Sequence, residues 1–137
     1  MNIAFNKSFF YLLISLFLMF APFVSSADFG NKEIFMFGRD DCKFCQDEKE
    51  FLEQLSEEKG IEYHYIDIYE KEGKDIFDEI TKINGLAKVA PITLVGGEII
   101  QGFAGDSTKE DIEFLLNISE LKRFDIDFYL SGENKNI

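Results

Sequence analysis

The chain has 137 residues, which suits a single domain, and its 46% apolar content with 16 Phe residues is ample for one hydrophobic core. Its formal net charge of −12 argues against a nucleic-acid partner, because binding a phosphate backbone needs clustered Lys and Arg. The presence of only two Pro residues and the lack of any sequence repeat also argue against a disordered chain or a solenoid.

The N-terminal segment, residues 1–27, has the pattern of an export signal. One basic residue, Lys7, precedes an apolar run from Phe9 to Phe20. The small residues Ser25 and Ala27 predict cleavage after Ala27, which leaves a periplasmic or secreted mature chain. The run is shorter than the roughly 20 residues that span a bilayer comfortably, so a retained membrane anchor is the alternative, and we expect membrane contact only in that case.

A predicted strand and a predicted helix flank the only two cysteines of the sequence. Residues 33–38, EIFMFG, form an apolar run that ends at Gly, which is typical of a buried strand. Apolar residues then recur at helical spacing until Gly60, namely Phe44, Phe51, Leu52 and Leu55. This spacing places Cys42 and Cys45 at the start of a helix. The aromatic and β-branched residues 61–68 predict the second strand.

The second half of the predicted domain contains a helix, a hairpin and another helix. Apolar residues at helical spacing precede Asn84 and Gly85, which predict the end of the second helix. Residues 92–95 and 98–101 flank Gly96-Gly97 and predict a hairpin with a two-residue turn. Ser107 to Glu110 fit a capping box in which the Ser107 side chain caps the last helix.

This order of elements, β-α-β-α-β-β-α, predicts an α/β fold. The helical crossover makes the first two strands parallel neighbours, and the hairpin adds an antiparallel pair. We therefore expect a four-stranded mixed sheet with helices on both faces, in a domain covering residues 28–117. Residues 118–137 form a C-terminal extension, for which an edge strand, a short packed helix and a loose tail are the alternatives.

The two cysteines are separated by two residues, and three kinds of site have this spacing. A complete zinc site needs four ligands, and the one His of the chain, His64, lies within a predicted strand, so we expect no metal site and no ligand role for His64. A structural disulfide would close so small a loop that it would constrain the unfolded chain little. Redox chemistry by a dithiol is therefore favoured.

The position of the pair predicts a role for each cysteine. Backbone amides and the positive end of the helix dipole stabilise a thiolate at a helix start, so Cys42, the more exposed residue, is expected to be the nucleophile. Cys45 lies one turn inside the helix and can attack a mixed disulfide to release the product. Lys43 favours the thiolate, whereas Asp40 and Asp41 oppose it, so the direction of electron flow stays open.

Several motifs together resemble glutaredoxin, a thiol–disulfide oxidoreductase with the thioredoxin fold. The residues that carry the resemblance are GRDDCKFC after the first strand, the following helix, the strand IEYHYIDI, and KVAPITLVGGEIIQGFAGDST. They cover about residues 33–117 in the same order and spacing as in that family. The resemblance implies glutathione as a co-substrate, and disulfide-containing or glutathionylated proteins as partners of a monomeric enzyme with no tightly bound cofactor.

The resemblance also implies a set of contacts with a glutathione-like substrate. It implies a cis bond between Ala90 and Pro91, with the Ala90 backbone facing the dithiol and pairing with the cysteine part of the substrate. The start of the last helix would receive the γ-glutamyl end, and a basic residue near the site would meet the glycyl carboxylate. The implied contact residues are Arg39, Lys43, Phe44, Ala90, Pro91, Gly105, Asp106 and Ser107, with Lys88 as a third basic candidate.

Three departures from the family pattern keep other functions open. Lys43 replaces the usual Pro after the first cysteine, Ala90 replaces the usual Val before Pro91, and Gln101 with Gly102 replaces a Gly-Gly pair. One alternative is an envelope disulfide oxidase or reductase that does not use glutathione, as the export signal favours. Another is a carrier of an iron–sulfur cluster ligated by Cys42 of two chains and by glutathione, since some glutaredoxins bind such clusters.

Overall fold

The computed structural model describes residues 32–119 and 123–136. The predicted export segment and its cleavage site after Ala27 lie outside these residues. The described elements, in chain order, are β1 (Glu33–Gly38), α1 (Lys43–Lys59), β2 (Glu62–Asp67), α2 (Lys71–Asn84), β3 (Ile92–Val95), β4 (Glu98–Gln101), α3 (Asp106–Ile118), α4 (Ile126–Leu130) and a 3₁₀ helix (Glu133–Asn136).

The four strands form one mixed sheet in the order β2-β1-β3-β4. Strand β1 pairs in parallel with β2, with Phe35 opposite His64, and antiparallel with β3, with Phe37 opposite Ile92. Strands β3 and β4 form the antiparallel hairpin predicted from the sequence, around Gly96 and Gly97. This topology confirms the predicted four-stranded sheet and is that of a thioredoxin fold.

Each face of the sheet is covered by its own apolar cluster, because successive side chains of a strand point to opposite faces. Ile34 and Met36 of β1 contribute to the first cluster, which also contains Cys45, Leu52 and other residues of α1 and α3. Phe35 and Phe37 contribute to the second cluster with residues of α2 and α4. Helices therefore cover both faces, as predicted, and Cys45 belongs to the first cluster.

Two of the predicted helix ends are confirmed, and one predicted helix start is wrong. Gly60 and Gly85 both have left-handed backbone angles after α1 and α2, with φ of 66° and 65°. Helix α3 begins at Asp106, and Ser107 lies inside its first turn without capping it. The helix therefore starts two residues earlier than the capping box implied, and the backbone N–H of Ala104 donates to Thr108 Oγ1 at 2.9 Å.

The C-terminal segment forms a short helix packed on the domain, which was one of the three alternatives. Asp125 caps α4 by accepting from the N–H of Phe128 at 3.0 Å. Tyr129 is fully buried in the second cluster, and its hydroxyl accepts a hydrogen bond from the N–H of Gly97 at 3.1 Å. In the following 3₁₀ helix, Asn134 donates to the side chain of Asn84.

Across residues 32–119 and 123–136, no helix combines the length and apolarity needed to cross a bilayer.

Candidate active site

Cys42 occupies the N-cap position of α1, where its backbone is extended with φ of −108° and ψ of 111°. Its sulfur accepts a hydrogen bond from the N–H of Cys45 at 3.2 Å, and its carbonyl accepts from the N–H of Gln46 at 3.0 Å. The first amides of a helix have no partner within the helix, so a sulfur in this position fills the role of a capping oxygen. Cys42 and Cys45 are joined as a disulfide.

The two sulfur-bearing residues differ in their access to solvent. Cys42 is partly exposed, whereas Cys45 is 1% exposed and packs in the first cluster. Phe44, between them, is 61% exposed. A substrate can therefore reach the Cys42 sulfur directly, whereas the Cys45 sulfur is shielded from solvent. This difference agrees with the predicted nucleophilic and resolving roles.

A polar network holds the loop that leads to Cys42. Arg39 forms an ion pair with Asp41 at 3.2 Å. The Tyr69 hydroxyl donates to Asp41 at 2.9 Å and accepts from Arg39 at 3.4 Å. On α1, Lys43 is paired with Asp47 at 3.0 Å. Both basic residues next to the dithiol thus already have carboxylate partners.

The Ala90–Pro91 peptide bond is cis, which confirms the implication of the resemblance. Because Phe37 lies opposite Ile92, the start of β3 lies at the same end of the sheet as the loop before Cys42. Strand β4 supports this proline loop through two contacts. The N–H of Gly102 donates to the Pro91 carbonyl at 2.8 Å, and the Gln101 side chain donates to the Ala87 carbonyl at 2.6 Å.

The remaining expected contact residues lie at the start of α3 and in the segment before Pro91. Gly105 lines an open cavity of about 430 Å³ that also includes Asp47 and Glu50 of α1. Asp106 is exposed and lies 3.4 Å from Lys109, and Ser107 is exposed as well. Lys88 forms an ion pair with Asp78 of α2 at 2.8 Å. Hydrogen bonds from Lys74 and then from Lys88 lower the pKa of Asp78.

The sequence prediction missed Glu48, which is fully buried below the dithiol. Its carboxylate accepts a hydrogen bond from the Thr93 hydroxyl of β3 at 2.6 Å, while its second oxygen, Oε2, is buried and has no hydrogen-bond partner within the described part of the chain. Burial raises the pKa of Glu48 to about 7, and the Thr93 hydrogen bond opposes this shift. The missed signal is helical spacing, since residue 48 shares one face of α1 with Cys45, Leu52 and Leu55.

One group of side chains on the opposite face of the sheet has metal-ligand chemistry. Ligand atoms of Glu33, Glu62 and His64 lie within 4.8 Å of one another. The guanidinium of Arg123 contacts both carboxylates, and the His64 ring stacks on Phe35 with a centroid distance of 4.8 Å. Arg123 therefore supplies a cation to this cluster and ties the C-terminal segment to β1 and β2.

Comparison with known proteins finds similarity among solved structures. No protein-family profile and no curated protein sequence matches the chain. The crystal structure of the glutaredoxin grx-1 from Archaeoglobus fulgidus is 20% identical with a TM-score of 0.47, and the match covers 58% of this chain and 84% of that chain. The holo form of glutaredoxin C1 from Populus tremula x tremuloides is 17% identical with a TM-score of 0.48, and the match covers 69% of this chain and 84% of that one.

Proposed function

We propose that the protein is a thiol–disulfide oxidoreductase of the glutaredoxin type, with Cys42 as nucleophile and Cys45 as resolving residue. The observation that carries this proposal is the N-cap position of Cys42, whose sulfur accepts the amide hydrogen of Cys45. A thiolate is a stronger acceptor than a thiol, so the same amide stabilises the reactive form of Cys42. The exposure of Cys42 and the burial of Cys45 support this order of attack.

The reaction proceeds by two exchanges. The Cys42 thiolate attacks one sulfur of a substrate disulfide, and the other substrate sulfur leaves as a thiolate. The Cys45 sulfur then attacks Cys42, forms the Cys42–Cys45 disulfide and releases the second substrate sulfur. Two electrons pass from the protein dithiol to the substrate, and the reverse sequence donates a disulfide to a dithiol substrate.

The assignment of the two roles is tested with single substitutions. Cys42→Ser is expected to abolish exchange with disulfide substrates, while Cys45→Ser is expected to accumulate a mixed disulfide on Cys42. Mass spectrometry after mixing with a disulfide peptide measures both results. Full activity in Cys42→Ser would contradict the proposal, and a mixed disulfide on Cys45 in the Cys42→Ser protein would reverse the roles.

Disulfide-containing proteins are the substrates that the surface around the dithiol supports best. Three apolar side chains near the dithiol are exposed, namely Phe44 at 61%, Tyr69 at 63% and Val89 at 56%. Phe44 lies in the first turn of α1, Tyr69 follows β2, and Val89 lies in the proline loop. Exposed apolar side chains close to a reactive centre suit contact with another polypeptide. The cations Arg39 and Lys43 have carboxylate partners, which would compete with the carboxylates of a glutathione molecule.

Glutathione is the second candidate substrate. The observation that favours it is the open cavity beside Gly105, of about 430 Å³, where the start of α3 faces α1. The experiment compares two substrates in wild type and in Phe44→Ala, with Phe114→Ala as an exposed control on α3. Phe44→Ala is expected to lower turnover of a protein substrate more than turnover of glutathione disulfide, because a protein covers more of the exposed Phe44 side chain, and Phe114→Ala should behave as wild type with both substrates. Equal turnover of an unfolded protein that contains a disulfide in all three forms would contradict protein docking.

We further propose that the protein acts outside the cytoplasm, as the apolar N-terminal segment favours. Export with cleavage after Ala27 predicts a mature chain that begins at Asp28. Cell fractionation and N-terminal sequencing of the mature protein test both parts. A membrane-bound chain that retains Met1 would favour the anchor, and a full-length chain in the cytoplasm would contradict export.

A further inference from the structure

The buried side chain of Glu48 lies in the apolar cluster that also contains the resolving cysteine. Cys45 and Glu48 are three residues apart on the buried face of α1, so their side chains leave the helix on the same side, one turn apart. Glu48 is 0% exposed and Cys45 is 1% exposed. An ionised side chain at this position lowers stability, because burying a charge without a partner is unfavourable. A buried acid in this cluster therefore calls for a functional explanation.

The groups that face Glu48 come from three elements, and none of them is a better acceptor for the Cys45 proton than the Glu48 carboxylate. Thr93 of β3 donates its hydroxyl hydrogen to Glu48 Oε1. From β2, Tyr63 donates its own hydroxyl hydrogen to the Met36 sulfur at 3.5 Å, and burial first, then nearby acids, raises its pKa far above neutrality. The α3 residues in this cluster are apolar, namely Ile112, Leu115 and Leu116.

Among residues 32–119 and 123–136, the one buried lysine or arginine is Lys32, which lies far along the sheet from Cys45. Lys32 precedes β1 and donates to the carbonyl of Leu116 near the end of α3. Met36, the residue opposite Thr93, lies four positions along the chain from Lys32. In an extended strand this spacing corresponds to about 13 Å. Oε2 of Glu48 is therefore a buried acceptor atom on the same helix face as Cys45, and it has no hydrogen-bond partner among the described residues.

We propose that Glu48 takes the proton of Cys45 during the resolving step. This inference rests on the proposed oxidoreductase function and adds a residue to it. As the Cys45 proton passes to Oε2, directly or through one water, the Cys45 sulfur bonds to the Cys42 sulfur. The bond between Cys42 and the substrate sulfur breaks, and the substrate leaves as a thiolate. In this step the Cys45 sulfur is oxidised from the thiol to the disulfide level and the substrate sulfur is reduced from the disulfide to the thiolate level, while the Cys42 sulfur stays at the disulfide level.

This transfer keeps the number of buried charges constant. Burial in an apolar cluster disfavours a thiolate at Cys45, and a second buried negative charge beside a Glu48 carboxylate would be more costly still. When the proton moves from the thiol to the carboxylate, one negative charge replaces the other. A pKa of about 7 leaves a useful share of Glu48 ionised at neutral pH and able to accept a proton.

Reaction with an excess of an aromatic disulfide that releases a coloured thiolate separates the two steps. Attack by Cys42 releases the first equivalent, and attack by Cys45 releases the second. In wild type, the rate of the second phase is expected to rise with pH around a midpoint of about 7. In Glu48→Gln we expect this phase to slow roughly 100-fold at neutral pH and to lose that midpoint, with the first phase unchanged.

Two further variants complete the experiment. Glu48→Asp keeps an ionisable group and is expected to retain the inflection, and Glu57→Gln, an exposed change on the same helix, should behave as wild type. An unchanged second phase in Glu48→Gln would overturn the role of Glu48, as would an equal slowing of both phases. Absence of the first phase in wild type would instead overturn the proposed function, and with it the inference that rests on it.

Discussion

Cys42 combines two roles at a single residue. Its extended backbone ends the loop from β1, and its sulfur caps α1 by accepting the N–H of Cys45. Disulfide formation and helix capping therefore involve the same atom. Lys43, which replaces a ring-restricted residue of the resembled family, is compatible with this turn because Cys42, and not residue 43, supplies the cap.

Glu48 predicts an unusual dependence of stability on pH. Its pKa in the folded protein is about 7, against 4.5 for the unfolded value, so folding favours the protonated form. The contribution of Glu48 to stability should be greatest below pH 4.5, decline as pH rises toward 7 and level off above that, where ionised Glu48 costs about 3 kcal/mol. Urea unfolding of wild type and Glu48→Gln at pH 5 and pH 8 measures this difference.

At pH 8 we expect the free energy of unfolding of Glu48→Gln to exceed that of wild type. At pH 5 the difference between the two proteins should be much smaller. Glu57→Gln, which changes an exposed carboxylate of the same helix, should follow the wild-type curve at both pH values. Parallel curves for wild type and Glu48→Gln would show that the carboxyl is not held protonated by the fold.

The residues of the dithiol could be predicted from the sequence, but their surroundings could not. Cys42 and Cys45 were identified because local spacing places them at a helix start. Glu48 was missed because its place in the apolar stripe of α1 becomes significant only when Thr93, from a strand 45 residues away, covers it. The ion pairs of Arg39 and Lys43 likewise depend on side-chain positions that composition does not encode.

At the scale of elements, the close approach of α2 to β2 depends on Gly73. This glycine is buried in the first turn of α2, and a Cβ atom there would collide with the backbone carbonyl of Asp67 at the end of β2. In an unobstructed helix, Gly→Ala gains about 1 kcal/mol. Here the steric clash with backbone reverses the sign, because neither element can move without breaking packing.

We therefore expect Gly73→Ala to lower the free energy of unfolding by about 1–3 kcal/mol. Chemical denaturation at a single pH measures this change. Glu72→Ala, an exposed substitution in the same turn, is the control and should stay within about 0.5 kcal/mol of wild type. A stabilised Gly73→Ala protein would show that α2 can shift away from β2 at no cost.

Helices and strands whose ends are set by neighbouring residues were predicted more accurately than those that depend on contacts with distant residues. Strand β1 and the β3–β4 hairpin were predicted with their observed bounds because glycines end each run. The start of α3 was misplaced because Thr108, and not Ser107, accepts the free amide. The structure of residues 118–137 could not be predicted from the sequence, since RFDIDFYL alternates like a strand. In the structure the Tyr129 hydroxyl of this segment contacts the N–H of Gly97, which lies far away in sequence.

At the scale of the whole molecule, the C-terminal segment completes the core. Tyr129 is the largest fully buried side chain in the part of the molecule that the structure describes, and its hydroxyl accepts the hydrogen bond of the buried Gly97 amide. Tyr129→Phe keeps the packing but leaves this N–H without its partner, so the free energy of unfolding should fall by about 1–3 kcal/mol. Thermal and chemical unfolding both measure the change.

Tyr69→Phe is the matched control, because Tyr69 is 63% exposed and loses a hydroxyl in the same way. We expect it to alter stability by no more than about 0.5 kcal/mol. If both variants unfold alike, the contact of the Tyr129 hydroxyl with the hairpin adds nothing to stability. If Tyr129→Phe alone is destabilised, the C-terminal segment and the sheet unfold as one unit.

The contact between Tyr129 and Gly97 also bears on the timing of folding during synthesis. The second cluster includes Phe124 and Tyr129, which leave the ribosome after all four strands of the sheet. The sheet therefore cannot close this cluster on a partly made chain. For a protein that we propose to be exported, this late closure keeps the nascent polypeptide in a form that a translocation pore can thread.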